Sequence, residues 1–276
     1  MKWFHFILSH SIFIAVCAVA MCFQTTSLLQ IQTDIWLMGF VFFATLSSYN
    51  SYWLFSKKIF GSVFYQSLFF KRERFKMAML AVYITGLIVC YFQTSLTINF
   101  VWPALLLNVL YIVPLLPFKV LRFTKRLGLL KTLLLAFTWM YVTGFLPMQQ
   151  SALLLTNFET GLLLNRFLFM LLLCVVFDNR DVAVDKIKGL HSIATGLTPA
   201  AVKFLVLVLL ILLVGSVYVL QYLGLDLKQA VALLISAIAA GYIFYLSLQK
   251  RSYFFYYFFV DGLMLFSALA TYIAGI

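Results

Sequence analysis

The sequence predicts an all-α, polytopic membrane protein, with nine transmembrane helices in one membrane domain over residues 1–276 and the N-terminus in the cytoplasm. Three observations lead there. Of 276 residues, 64% are hydrophobic, 18% aromatic and only 10% charged, at a mean hydropathy of +1.05, which leaves too little polar side chain to cover a water-soluble globule. Apolar runs near the length of a bilayer span recur nine times. The basic residues fall in alternate connections between those runs.

The expected spans cover residues 4–23, 33–55, 76–93, 97–116, 129–148, 162–179, 199–222, 229–248 and 253–275. The first, within MKWFHFILSHSIFIAVCAVAMCF, is as long as a full span and lacks a small-x-small cleavage site before a polar domain. It reads as a membrane helix, not a removed leader. Only QTSLT, Gln93 to Thr97, separates the third and fourth spans. One helix through both would be about 60 Å long, twice the hydrocarbon thickness, so two are required. No internal repeat or linker divides the chain.

Charge placement gives the orientation. Of the 20 basic residues, all but Arg166 and Lys228 fall on one side, beginning with Lys2. The connections after the second, fourth, sixth and eighth spans carry Lys57–Lys76, Lys119–Lys131, Arg180–Lys203 and Lys250–Arg251. Lysine and arginine accumulate in cytoplasmic loops, so that side is the cytoplasm. The formal net charge of +12 follows from this topology, because no segment offers the basic face of a soluble nucleic-acid binder. Cys17, Cys22, Cys90 and Cys174 lie inside apolar runs without C-x-x-C spacing and read as packing residues.

Residues 177–189, FDNRDVAVDKIKG, hold three of the eight acidic residues, Asp178, Asp181 and Asp185. On a helix, spacings of three and four put all three carboxylates within about 60° on one face. Like charges so stacked call for a cation. One reading is a hard divalent ion: Mg²⁺ takes one or two protein carboxylates plus substrate phosphates, and an apolar bundle would accept the chain a diphosphate carries. The other is a solvated segment in which Arg180, Lys186 and Lys188 balance the acids.

FDNRDVAVDKIKG resembles the second aspartate-rich motif of the UbiA-type intramembrane prenyltransferase superfamily. Members of that superfamily have nine membrane helices, with this motif between the sixth and seventh. The segment YIVPLLPFKVLRFTKRLGLLKTLLLAFTW, from Tyr111, is similar to the basic loop those proteins carry between helices four and five. At the first-motif position the chain reads NSYWLFSKK: Asn50 matches, while Leu54 and Lys58 stand where two aspartates would be. The resemblance implies a UbiA-like bundle in the plasma or inner membrane that transfers an isoprenyl group from its diphosphate to a lipophilic, quinone-precursor-like acceptor. Asp178, Asp181 and Asp185 would hold Mg²⁺, with Asp181 and Asp185 catalytic. Asn50, Lys58 and Lys131 would bind the diphosphate, Lys58 as a tethered ammonium where a second metal would sit. A family member that binds or transports an isoprenoid or anionic lipid without turnover is the alternative.

Four further features have plainer readings. Asp261, some eight residues into the last span, faces a wet interior or is held structurally. His191 reads as a solvated loop residue, and Asn50 also as an interhelical hydrogen bonder. The run YFFYYFF at 253–259 reads as interfacial anchoring and packing.

Overall fold

The computed structural model describes residues 2–60, 66–112, 128–149, 155–188 and 193–276; among them the structure is helical, without strands. The helices are α1 (Lys2–Ser9), α2 (Ile12–Leu28), α3 (Ile35–Phe60), α4 (Gln66–Gln93), α5 (Ile98–Ile112), α6 (Gly128–Met140), α7 (Leu146–Met148), α8 (Asn157–Lys188), α9 (Ile193–Gly196), α10 (Pro199–Tyr222), α11 (Leu227–Ser247) and α12 (Asp261–Gly275). π-helical turns Tyr141–Phe145 and Phe255–Val260 join α6 to α7 and lead into α12.

Six helical segments among the described residues are long and apolar enough to cross a membrane, and two apolar ones, Ile12–Leu28 and Ile98–Leu110, are shorter. In a bilayer the backbone must satisfy its own hydrogen bonds, which an all-helical chain achieves segment by segment. The chain is a multi-pass membrane protein. Large apolar side chains such as Val82, Val89 and Phe92 on α4 and Phe204, Leu207 and Ile211 on α10 stay exposed in the isolated chain. They form the surface that lipid covers.

Local chemistry sets the helix ends. Thr156 and Glu159 form a reciprocal capping box at the start of α8, with Glu159 N–H donating to Thr156 Oγ1 (3.2 Å) and Thr156 N–H to Glu159 Oε2 (2.7 Å). Thr198 caps α10 ahead of Pro199, and Asp226 caps α11. Gly224, at φ 112, turns the chain after α10 while Leu225 N–H returns to Leu220 O at 2.9 Å. QTSLT separates α4 from α5, as expected.

The first apolar run departs from expectation. Instead of one helix over 4–23, the chain breaks between α1 and α2 at Ser11, a non-glycine residue at φ 61. Phe6 O keeps its backbone bond from His10 N–H at 3.0 Å and also receives Ser9 Oγ and His10 Nδ1, at 3.2 and 3.0 Å.

α8 is the central helix. Its apolar segment is 67% buried, against 11% for that of α4, and Leu168 to Val176 are buried all round. It packs on α6, α10 and α11, while α2 packs on α3 and α12, and α3 on α4. All four cysteines are buried and unpaired, as the sequence suggests.

Arg166, already within the expected span 162–179, sits inside α8, 3% exposed, with Nη1 donating to Met21 O (3.0 Å) and Nη2 to Thr25 Oγ1 (3.1 Å). Beside it Gln24 Nε2 lies within hydrogen-bond distance of Ser267 O, Ser267 Oγ and Thr271 Oγ1 on α12, at 3.0, 3.0 and 2.9 Å. With no water available, these polar groups find partners only in one another.

At the α3–α4 contact, a Cβ on Gly39 would lie 2.8 Å from Cys90 Sγ. Gly39→Ala should therefore lower stability in detergent by about 1 kcal/mol or more, an overpacking cost. Adding Cys90→Ala, which removes the clashing sulfur, should restore most of the loss in the same thermal melt. A double variant as unstable as the sum of the two singles would place the clash elsewhere.

Candidate functional site

The acidic motif lies within α8, which runs unbroken to Lys188, so Asp178, Asp181 and Asp185 occupy successive turns of one helix. Asp178, half-buried, accepts a short hydrogen bond from Thr132 Oγ1 on α6. Lys131, next to Thr132, acts electrostatically on Cys174 together with Asp178 and Asp261. Helices α6, α8 and α12 thus bring a lysine and two carboxyls within electrostatic reach of one cysteine. Asp185 and Lys58 lie on α8 and α3, and their side chains fall outside the described residues, as does the whole of His191.

Asp181 is paired. Its two oxygens accept from Arg180 Nε at 2.6 Å and Nη2 at 2.7 Å, a fork-to-fork arrangement. Within the pair the Asp181 side chain is 38% exposed and that of Arg180 24%. Its guanidinium carbon lies 4.9, 5.1 and 5.1 Å from the ring centres of Phe177, Tyr256 and Tyr257. Part of the run at 253–259 therefore does more than anchor. It cages a guanidinium, each face-on ring adding about 0.5–2 kcal/mol of attraction. The π-helical turn Phe255–Val260 carries both tyrosines, and π turns of this kind recur at functional sites.

Asn50 ties two segments together. Its amide nitrogen donates to Leu46 O (2.8 Å) and to His10 O (3.2 Å), the carbonyl just before the α1–α2 break. It is the interhelical hydrogen bonder its sequence position also allowed. Asp261, 5% exposed, sits within electrostatic reach of Arg180.

The donor set suits Mg²⁺ in a limited sense. Asp178 and Asp181 offer hard carboxylate oxygens one turn apart, and each carboxylate keeps lone pairs beyond those already accepting. No group of three His, Cys, Asp or Glu side chains among the described residues forms a metal cluster. The fit is to a metal shared with a substrate's phosphates, not to a closed protein cage.

An all-helical membrane bundle with an acidic, cation-rich end defines a class of intramembrane protein, and comparison narrows it. The chain is similar in structure to a digeranylgeranylglyceryl phosphate synthase, a UbiA-type membrane prenyltransferase, with a TM-score of 0.59 over 100% of this chain and 98% of that one. The identity is 15%, so the likeness is one of fold. No protein-family model matches the sequence, and no curated protein matches it.

Two of the residues that matter at this end escaped the motif. Thr132 and Tyr257 carry no sequence signal of their own, and Arg180 read only as a countercharge. An arginine one position from a motif aspartate and a tyrosine pair in the last span were the available hints.

If the ring cage holds Arg180, Arg180→Ala should lower the melting temperature of the detergent-solubilised protein through the loss of about 1–3 kcal/mol. Tyr256→Phe should leave it near the parent value, because phenylalanine keeps the π face, whereas Tyr256→Leu should follow the alanine variant. Equal melts for Tyr256→Phe and Tyr256→Leu would refute the cage.

Proposed function

We propose that this protein is an intramembrane prenyltransferase that moves an isoprenyl group from its diphosphate to a lipophilic acceptor. The observation that carries the reading is Asp178 and Asp181 on consecutive turns of the central helix, beside Lys131 and Arg180, in a bundle with the fold of a membrane prenyltransferase. The reading takes nine spans, a cytoplasmic N-terminus and a place in the plasma or inner membrane. The acidic end then meets the water-soluble side, where a diphosphate head would arrive with its tail among the helices.

In this reading Asp178, Asp181 and Asp185 hold Mg²⁺. The ion, when bound, neutralises charge on the departing diphosphate. Thr132 fixes the orientation of Asp178, and Arg180 that of Asp181. Lys131 and Lys58 add positive charge for the phosphates, Lys58 in place of the first-motif carboxylates, and Asn50 acts by holding the α1–α2 break against α3. The packed apolar helices exclude water from the allylic centre as its bond to diphosphate breaks and the bond to the acceptor forms. Leu54 and Lys58 at the first-motif positions favour one other reading, a relative that binds the prenyl diphosphate without turning it over.

The test is incubation of the purified protein in lipid nanodiscs with Mg²⁺ and a panel of isoprenyl diphosphates, reading binding and diphosphate release together. Binding should require Mg²⁺, and Asp178→Asn or Asp181→Asn should weaken it at least about tenfold. Release supports the transferase; binding without release with any acceptor supports the binder. Affinity unchanged in both variants, or without Mg²⁺, would overturn the metal site.

A further inference from the structure

The guanidinium of Arg180 is held in two ways that do not compete. Asp181 takes it by the edge, where Nε and Nη2 meet the two carboxylate oxygens at 2.6 and 2.7 Å. Phe177, Tyr256 and Tyr257 hold it by their ring faces, 4.9 to 5.1 Å from its central carbon, and a π face attracts the charge without needing an N–H. Those rings stand on α8 itself and on the π-helical turn Phe255–Val260. The guanidinium therefore keeps its place when the carboxylate takes another partner, which gives Arg180 a second state.

A guanidinium side-on to a carboxylate occupies the lone pairs that point ahead of its two oxygens, the same ones that suit a divalent ion. Arg180 and a metal thus compete for Asp181, and two cations so close repel unless an anion lies between them. A phosphate offers the guanidinium the same pair of oxygens as a carboxylate does. On the side of Asp261 there is no room for one, because Ser11, Tyr49, Tyr257 and Asp261 line a cavity there that admits about one water. The motif side is different, for Arg180 is 24% exposed and Asp181 38%. An anion reaches Arg180 from the face where Asp181 now sits.

We propose that Arg180 is a diphosphate-binding residue kept in reserve by Asp181. In the resting chain the carboxylate masks the guanidinium. When Asp181 turns to Mg²⁺, Arg180, still in its ring cage, takes two oxygens of the diphosphate that shares the metal. That this diphosphate is an isoprenyl one rests on the prenyl-transfer reading. Metal and diphosphate then depend on each other for binding, since either alone meets Arg180 and Asp181 already paired.

The test is a double-mutant cycle on the full chain in phosphatidylcholine nanodiscs, reading affinity for inorganic pyrophosphate and for farnesyl diphosphate, with Mg²⁺ or with EDTA. In EDTA, Asp181→Asn unmasks Arg180 and should bind pyrophosphate about tenfold more tightly than the parent, the worth of one charge-assisted hydrogen bond, while Arg180→Gln with Asp181→Asn should return to the parent value. With Mg²⁺, Asp181→Asn weakens binding instead, and adding Arg180→Gln should cost about a further tenfold. No gain for Asp181→Asn in EDTA overturns the proposal, as does a double variant that keeps the gain, the mark of charge removal alone. An Arg180→Gln change without effect in the Asp181→Asn chain with Mg²⁺ also overturns it, being the result for an arginine that only orients Asp181. Pyrophosphate and farnesyl diphosphate bound by no chain overturn it too. Should Arg180→Gln not fold, phenylglyoxal labelling of the Asp181→Asn chain decides: pyrophosphate should slow modification of Arg180, read by peptide mass spectrometry, about fivefold or more, and unchanged labelling overturns the proposal. Pyrophosphate that follows the cycle while farnesyl diphosphate fails to bind removes the prenyl-transfer reading and leaves the Arg180 site standing. Farnesyl diphosphate that binds with Mg²⁺ yet ignores the cycle removes the Arg180 site and leaves that reading.

Discussion

A guanidinium buried among helices, with no carboxylate beside it among the described residues, is the constraint on which the rest of this bundle depends. Arg166 cannot find water at its depth, so it takes a backbone carbonyl and a threonine hydroxyl from α2. Thr25, which receives it, passes its own hydrogen to Thr143 O at 2.8 Å, and Cys22 Sγ reaches Val142 O at 3.6 Å. Both carbonyls belong to the π-helical turn Tyr141–Phe145, where the widened backbone leaves carbonyls available to outside donors. Gln24 adds the link from α2 to α12. One polar face of α2 thereby fixes the height of three other segments.

That fixing reaches the motif end. Asp178 lies twelve residues beyond Arg166 on α8, about 18 Å along the axis, and Asp261 six residues before Ser267 on α12, about 9 Å. Once the clamp sets the register of α8 and α12 against α2, Arg180 must fall among the rings of the last span. A one-residue slip of either helix would swing those groups by 100° and dissolve the cage. Polar contacts in membrane interiors are individually modest, so their effect here is on register more than on total stability.

The motif end itself is a charge arrangement more finely divided than a row of acids. Asp181 is matched by Arg180, Asp178 is held by a hydroxyl and acts with Lys131 on Cys174, and Asp261 lies beside Ser11, Tyr49 and Tyr257 within electrostatic reach of Arg180. Each carboxyl has a different partner, and so a different availability. Asn50 contributes through the backbone of the α1–α2 break, which also forms one wall of the Asp261 cavity.

Much of this was legible in the sequence because it depends on local properties. Composition put the chain in a bilayer, apolar run length located the helices, and the three- and four-residue spacing put the acids of 178–185 on one helical face, since helix periodicity needs no tertiary partner. Other features were decided only by packing. Nothing near Arg166 names the groups that receive a charge inside a span, because its partners lie 141 and 145 residues away in the chain. Gln24 and Ser267 are 243 residues apart, and the tyrosines that cage Arg180 read equally well as lipid anchors. The break at Ser11 interrupts a run whose composition favoured one continuous helix. Period and polarity are written along the chain, whereas the partner of a buried charge is fixed only when distant helices close around it.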